Sequence, residues 1–253
     1  MALIKDQPIS CLTDWMAFDS KLSILSEQES TSIESKSRLA QNEIETQVTS
    51  FLLRQSGLSE SASRQLLDKV VVTEPLSRWH SLLTLSLFYV DVASMQNSAL
   101  HREQAKYYEA KAKEASDQLF EVGVGVVYQP IAKAPVPLVV ISAGSNPSRF
   151  LRGRIRLVDI DGAVGTLSEE FLVDMTSGET AELSVDSLPP RVLGWILFLG
   201  ESSESLRESI ISPVPAGTAR SITPDMPNPA APLVRKSAQS PDRFIRYTTE
   251  LWR

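Results

Sequence analysis

Cysteine is all but missing. Cys11 is the single one in 253 residues, so neither an intrachain disulfide nor a cysteine-rich zinc site can form, and such usage fits a reducing compartment. Histidine is nearly as scarce. His80 and His101 are the only two; with one distant thiol they make no metal-ligand set, and both read as structural side chains. Before residue 123 the only glycine is Gly57, which leaves few helix breakers in the first half. An excess of positive charge is also lacking. Lys plus Arg number 25 against 31 Asp plus Glu, a formal charge of −6. That excludes gripping nucleic acid over the whole surface, since phosphate binding needs Lys and Arg. The longest apolar stretch, Leu82 to Ala93, is broken by Thr84, Ser86 and Asp91 and falls short of the roughly 20 residues a bilayer requires. The start, MALIKDQPIS, lacks the basic-then-apolar order of a signal peptide. A soluble chain with no membrane partner is expected.

What is present is enough for a packed core: 42% apolar and 22% charged residues. In the first half the apolar positions recur at helical spacing. Ile33, Ala40, Ile44, Val48 and Phe51 share one face of a long helix ended by Gly57. Ser59 opens a short helix carrying Ala62, Leu66 and Val70. Thr73–Glu74–Pro75 is a start signal, with threonine as cap and proline in the first turn. The helix that follows is apolar on nearly every side, from Trp79 to Val90, and belongs at the centre of a bundle. Asn97 or Ser98 caps the next helix, whose stripe is Ala105, Tyr108, Ala112, Ala115, Leu119 and Val122. Its opposite face is charged, with Glu109 and Lys113 in the favourable i,i+4 order. Gly123 and Gly125 stop it.

YQPIAKAPVP, ending at Pro137, reads as an extended linker. Beyond it come short β-branched runs parted by turns: PLVVISA, the alternating RGRIRLVDIDG with Ile155, Leu157 and Ile160 among charged positions, EFLVDM, a Thr176–Ser177–Gly178 turn, AELSV, GWILFLG, ESIISPV and ARSIT. Six or seven such strands predict an antiparallel sandwich. The expected fold class is α+β, with a helical domain over 1–128, a linker over 129–137, a β-sandwich over 138–223 and an extended C-terminal segment over 224–253. TPDMPNPAAP cannot make a ladder strand, because proline removes the donor. The end, DRFIRYTTELWR, carries Phe244, Tyr247 and Trp252. It either folds back on its own domain or docks on a neighbouring subunit.

No catalytic constellation stands out. A Gly-x-Ser-x-Gly elbow and a Walker loop are missing. Gly123–Val124–Gly125 follows a helix rather than a strand, the wrong context for a phosphate loop. Asp159–Ile160–Asp161–Gly162 resembles the start of a calcium loop, but Ala163 holds the fifth position and the glycine comes two places early, so a strand-ending turn is expected. Glu169 and Glu170, adjacent on a strand, point to opposite faces and form no acid–base pair. No catalytic residue, cofactor or metal is assigned.

GWILFLGESSESLRESIISPVPAG, residues 194–217, resembles a stretch of phage head–tail connector (adaptor) proteins that carry a fibronectin- or immunoglobulin-like C-terminal domain. Its marks are Gly194–Trp195 opening a strand, Phe198–Leu199–Gly200 closing it, and a turn with Pro213, Pro215 and Gly217. RLVDIDGAVGTLSEEFLVDM and DRFIRYTTELWR are similar to other parts of those domains. The paired helices over LSRWHSLL to FEVGVG resemble the adaptor core, so the likeness covers about residues 70–253. It implies a structural virion protein at the head–tail junction, made in the host cytoplasm. The implied assembly is a homo-oligomeric ring, commonly of 12 copies, docked on the portal protein, touching tail tube, nozzle or other neck proteins, and passing DNA through its lumen. With it go three expectations. Tyr108, Ala112 and Ala115 pack copies side by side. Phe244, Tyr247 and Trp252 anchor one subunit on the next. The sandwich faces outward toward a tail fibre, so that deleting 138–253 leaves a ring-forming core. The alternative is a carbohydrate- or cell-surface-binding module on a helical stalk, which needs exposed aromatics among Phe150, Phe171, Trp195 and Phe198; an enzyme ranks third.

Overall fold

The computed structural model describes residues 2–28, 31–56, 65–209, 212–227, 230–231 and 238–246. The fold class is α+β, a helical region followed by antiparallel sheets. The chain divides into two compact units: Leu3–Gln129 with Ser240–Arg253, and Met1–Ala2 with Pro130–Gln239.

Three long helices build the first unit. After the short α1 (Leu12–Met16) and α2 (Leu22–Gln28) come α3 (Ile33–Ser56), α4 (Glu74–Gln96) and α5 (Ala99–Val122). As its all-round apolarity requires, α4 is the central element, packed against both α3 and α5. Leu76, Leu85, Phe88 and Val92 are fully enclosed, each contributing about 1.5–3 kcal/mol by leaving water. Its buried Thr84 and Ser81 hydroxyls bond carbonyls one turn back, so no polar group is stranded. Phe51, Trp79 and Phe120 bring one ring from each helix together, with centroids 4.7 and 5.7 Å from Phe120. Thr73 takes the cap position but its hydroxyl makes no cap bond, whereas Ser98 does cap α5, accepting from the His101 amide. Asn97 ends α4 in the left-handed region. The surface ion pair on α5 is Lys111–Glu114 (2.8 Å) rather than Glu109–Lys113. Gly57, Ser59 and Ala62 lie outside the described residues, and Val70 belongs to a β-bridge, not a helix.

That bridge is part of a small β assembly. Leu3 pairs with Val71, Val70 with Val126, and β1 (Val124–Val126) with β9 (Arg243–Ile245), all antiparallel. Leu3 and β9 are thus fastened to the helical unit. Gly123 and Gly125 stop α5, as expected, but their deeper reason is tertiary. A Cβ on Gly123 would lie 2.9 Å from the Ile245 carbonyl, and one on Gly125 3.0 Å from Pro241.

The second unit is a two-sheet sandwich, with strand orders β2–β5–β8 and β4–β3–β6–β7. The strands are β2 (Leu138–Asn146), β3 (Arg149–Asp159), β4 (Phe171–Met175), β5 (Glu179–Ser184), β6 (Val192–Gly200), β7 (Arg207–Glu208) and β8 (Arg220–Ser221). Pairings β2–β5, β3–β6 and β6–β7 match the B–E, C–F and F–G pairs of the immunoglobulin plan, and β8 stands beyond β5 where strand D would be. Inward residues Leu151, Ile155, Leu157, Val173, Leu183, Trp195, Leu197 and Ile222 form the core. Strand β6 lacks the polar alternation of a half-exposed strand because it is covered twice. Trp195, Leu197 and Leu199 face the core, while Ile196 and Phe198 lie under Leu206 and beside Val158, Val164 and Leu167 on the outer face.

Several sequence boundaries move. The proline-rich stretch after Gln129 is no free spacer: Ile131 and Ala134 are buried in the sandwich core, and the Ala134 amide bonds the Thr166 carbonyl (3.2 Å). Ile160, beyond the end of β3, is exposed on a turn. The segment from Pro224 does not stand apart either. The Arg149 guanidinium donates to the carbonyls of Pro224 and Met226, both at 2.6 Å, before β9 rejoins the helical unit.

Candidate functional site

The three helical residues expected to join copies are turned inward. Tyr108, Ala112 and Ala115 are 8%, 3% and 3% exposed and belong to the core of their own unit. The small side chains bring α5 close enough for the Ser86 hydroxyl of α4 to reach the Ala105 carbonyl (3.3 Å). Tyr108 stacks on Tyr89 at 5.6 Å, and the Tyr89 hydroxyl donates to Asp19. Burial, with the Asp19 charge behind it, pushes Tyr108 up to about 12 and raises Tyr89 as well. The alanine stripe is therefore covered within one chain and cannot be the surface a second copy touches. Val122, at the stripe's end, is exposed.

What α5 presents outward is a mixed face. Tyr107 and Leu100 are 59% and 63% exposed, among Arg102, Lys106 and Lys113 and the acids Glu103, Glu109 and Glu114. At the other expected anchor, Phe244 sits on β9 opposite Gly125 of its own chain and is 44% exposed. Tyr247 and Trp252 lie outside the described residues.

A serine–histidine pair does occur, and nothing in the sequence announced it, since its members are 70 positions apart. Ser10 Oγ is 2.6 Å from His80 Nδ1, and His80 Nε2 is 3.0 Å from the Ser37 carbonyl. A carbonyl accepts only, so Nε2 carries the proton and Nδ1 accepts from Ser10. Trp15 Nε1 donates to the same Ser10 oxygen (2.7 Å). The orienting partner is a carbonyl instead of the carboxylate of a catalytic triad, and both Ser10 and His80 are buried, the latter completely. The cluster clips the N-terminal segment to α3 and α4. Burial holds His80 down to about 4, against the opposing pull of the Ser37 bond and Asp14. His101, half-buried, has its ring 5.9 Å from Tyr89.

In the sandwich, the calcium-like sequence is a turn whose acids are neutralised by an arginine. Arg191 Nη2 is 2.5 Å from Asp161 and 3.8 Å from Asp159, and Asp159 Oδ1 accepts the Asp161 amide. Gly162 takes a φ of 78° there, a value glycine adopts without strain. Among the described residues no group of three His, Cys, Asp or Glu side chains is placed to hold a metal ion, and no helix is long and apolar enough to cross a membrane. Glu169 and Glu170 do go separate ways: Glu169 pairs with Lys133, and Glu170 with Arg152 at 2.6 Å and Arg154 at 3.7 Å. Burial pushes the Glu170 carboxyl up, but hydrogen bonds from Arg152 and Ser203 outweigh it and the net is a lowered value. Arg156, next along the outer face of β3, is buried over the Phe198 ring (5.5 Å), and that burial lowers its pKa.

Of the four sandwich aromatics, Phe171, Trp195 and Phe198 are buried, and Phe150 is 48% exposed. Phe150 lines a cleft of about 800 Å³ together with Arg149, Glu201, Ser205, Arg207 and the Pro224–Pro227 segment.

No family model matches the chain, and no curated protein sequence is significantly similar to it.

Proposed function

We propose that the chain is a non-enzymatic structural subunit of a phage head–tail junction, a ring-forming adaptor that docks on the portal through its helical unit and lets DNA pass. The observation that carries this reading is the resemblance over residues 194–217, taken with where its marked residues fall. Gly194 is the third residue of β6, where a Cβ would meet the Val214 carbonyl at 2.6 Å, and Gly200 ends the strand where a Cβ would meet the Ser205 backbone at 2.7 Å. Trp195 is fully enclosed and bonds Val214 in both directions, at 2.9 and 2.8 Å. These residues are shape-determining, so the likeness lies in the part of the sequence that specifies the sandwich. It is a family analogy as regards function.

With the alanine stripe covered, ring contacts fall to exposed surface, and the outer face of α5 is the best placed. A rotational ring needs two different faces that fit each other, and a helix bearing both signs of charge around Tyr107 offers half of such a contact. The sandwich is the proposed attachment point for a further neck protein or a fibre.

Negative-stain microscopy and native mass spectrometry of the full chain, alone and mixed with portal protein, test the reading. Closed rings, or a stoichiometric complex with the portal, are expected, and rings held by α5 charges loosen as salt rises. A chain that stays single at every concentration and ignores the portal ends the proposal.

Phe150 favours a second reading, a carbohydrate-binding sandwich. Sugars stack on exposed rings, and its cleft is lined by Arg149, Glu201, Ser205 and Arg207. Binding on a glycan array that Phe150→Ala abolishes would establish it.

A further inference from the structure

We infer that β2 is a pairing edge, and that its occupant is β2 of a second copy, joined antiparallel so that two three-stranded sheets become one of six. The inference does not rest on the ring reading: an antiparallel self-pair is an isologous two-fold contact, made between free chains or between copies of separate rings.

The immunoglobulin plan puts a strand A on the outer edge of strand B. Here β2 holds the B position, pairing with β5, and among the described residues nothing pairs with its other edge. The preceding segment does not fill the gap, since it carries Pro130, Pro135 and Pro137 and turns Ile131 and Ala134 into the core. A free edge is a row of unpaired amides and carbonyls, and natural sheets blunt it with brevity, charge or proline. The other three edges follow that rule. Strands β7 and β8 are two residues each and both carry arginine, and the five-residue β4 carries Asp174. Strand β2 does not: LVVISAGSN runs nine residues with no charge and no proline. Three of its apolar side chains are bare, with Leu138 58%, Val140 48% and Ile141 41% exposed.

The missing charge is what points to a second copy. A chain of formal charge −6 repels itself over most of its surface, but two copies of β2 set no like charges opposite each other. Centred on Val140, an antiparallel pair places Val140 against Val140, Leu138 against Ser142 and Val139 against Ile141. Val140 then packs on its own copy and Ile141 on Val139, so part of the apolar surface bare at this edge is shared between the two strands. Glu182 lies on β5 opposite Val140. The two copies of Glu182 would be three strand spacings apart, about 14 Å, beyond the ~8 Å screening length at physiological salt. One strand pair buries less than the ~1,200 Å² of a standard stable interface, so the association is weak and rises with concentration.

The test uses the full chain in a Cys11→Ser background. In Val140→Cys the two thiols face each other at cross-strand distance, about 4.5–5.5 Å between Cα atoms, within the roughly 4.4–6.8 Å that a disulfide spans. Mild oxidation is expected to give a covalent dimer, whereas Ser142→Cys, facing Leu138, gives none. In sedimentation velocity, Val140→Lys sets two cations opposite each other and is expected to weaken dimerisation about tenfold or more, with its thermal melt unchanged because the site is exposed. A Val140→Cys chain that stays monomeric under oxidation overturns the inference. So does a self-association that Val140→Lys leaves untouched, which is the result if this edge serves a strand of another protein.

Discussion

Mild acid is expected to weaken the helical unit through His80. In the fold its ring is neutral, held down to about 4 chiefly by burial. In the unfolded chain it titrates at the ordinary 6.5. The unfolded state therefore binds more protons between these values. The contribution of the neutral ring to stability is complete above pH 6.5 and is lost as the pH falls toward 4. The gap from 6.5 to about 4, at ~1.36 kcal/mol per pH unit, corresponds to ~3 kcal/mol. Between pH 6 and 5 the unfolded ring is mostly protonated and the folded ring mostly not, which gives a slope of about 1 kcal/mol per pH unit. Urea unfolding followed by far-ultraviolet circular dichroism, at pH 7, 6, 5 and 4, measures it in the full chain and in His80→Gln. The variant is expected to start about 1–3 kcal/mol lower at pH 7, because the Ser10–Trp15–Ser37 cluster loses a partner, and to vary less between pH 6 and 5. Equal slopes in the two proteins would refute the reasoning, since the titrating group would then lie elsewhere.

Two further expectations concern how the chain is joined. Replacing residues 130–239 by a short Gly/Ser bridge should leave the helical unit folded and melting cooperatively, because the ends to be joined are adjacent: Tyr128 donates its amide to Asp242 at 2.7 Å. Deleting 138–253 instead removes β9 and should lower the melting temperature of what remains, and identical melts for the two variants would show that β9 does not matter. Gly123→Ala forces a Cβ to within 2.8 Å of the Arg246 side chain at a φ of 111° and should cost ~1–3 kcal/mol in chemical denaturation. Gly178→Ala is the control, with φ 88° but open space around it, and only the smaller conformational cost is expected there.

The three long helices and the strand-rich second half were legible in the residues alone because they follow from local pattern. The 3.6-residue spacing of Ile33, Ala40, Ile44, Val48 and Phe51 and the all-round apolarity of α4 reflect side chains one turn apart on the same helix. The turn at Thr176–Ser177–Gly178 is equally local. A stripe, however, says that a face is covered and not by what. Tyr108, Ala112 and Ala115 fit a seam between copies as well as a seam with α4, and only the packed chain assigns them to the second. The double covering of β6, the return of β9 to β1 and the Ser10–His80 contact were illegible for the same reason. Each joins residues tens of positions apart, where the loop entropy of closure is recovered only by contacts that exist once the whole core has formed. The free edge of β2 is a mixed case. Its lack of charge stands in the sequence, but that nothing pairs with it is a property of the finished sheet.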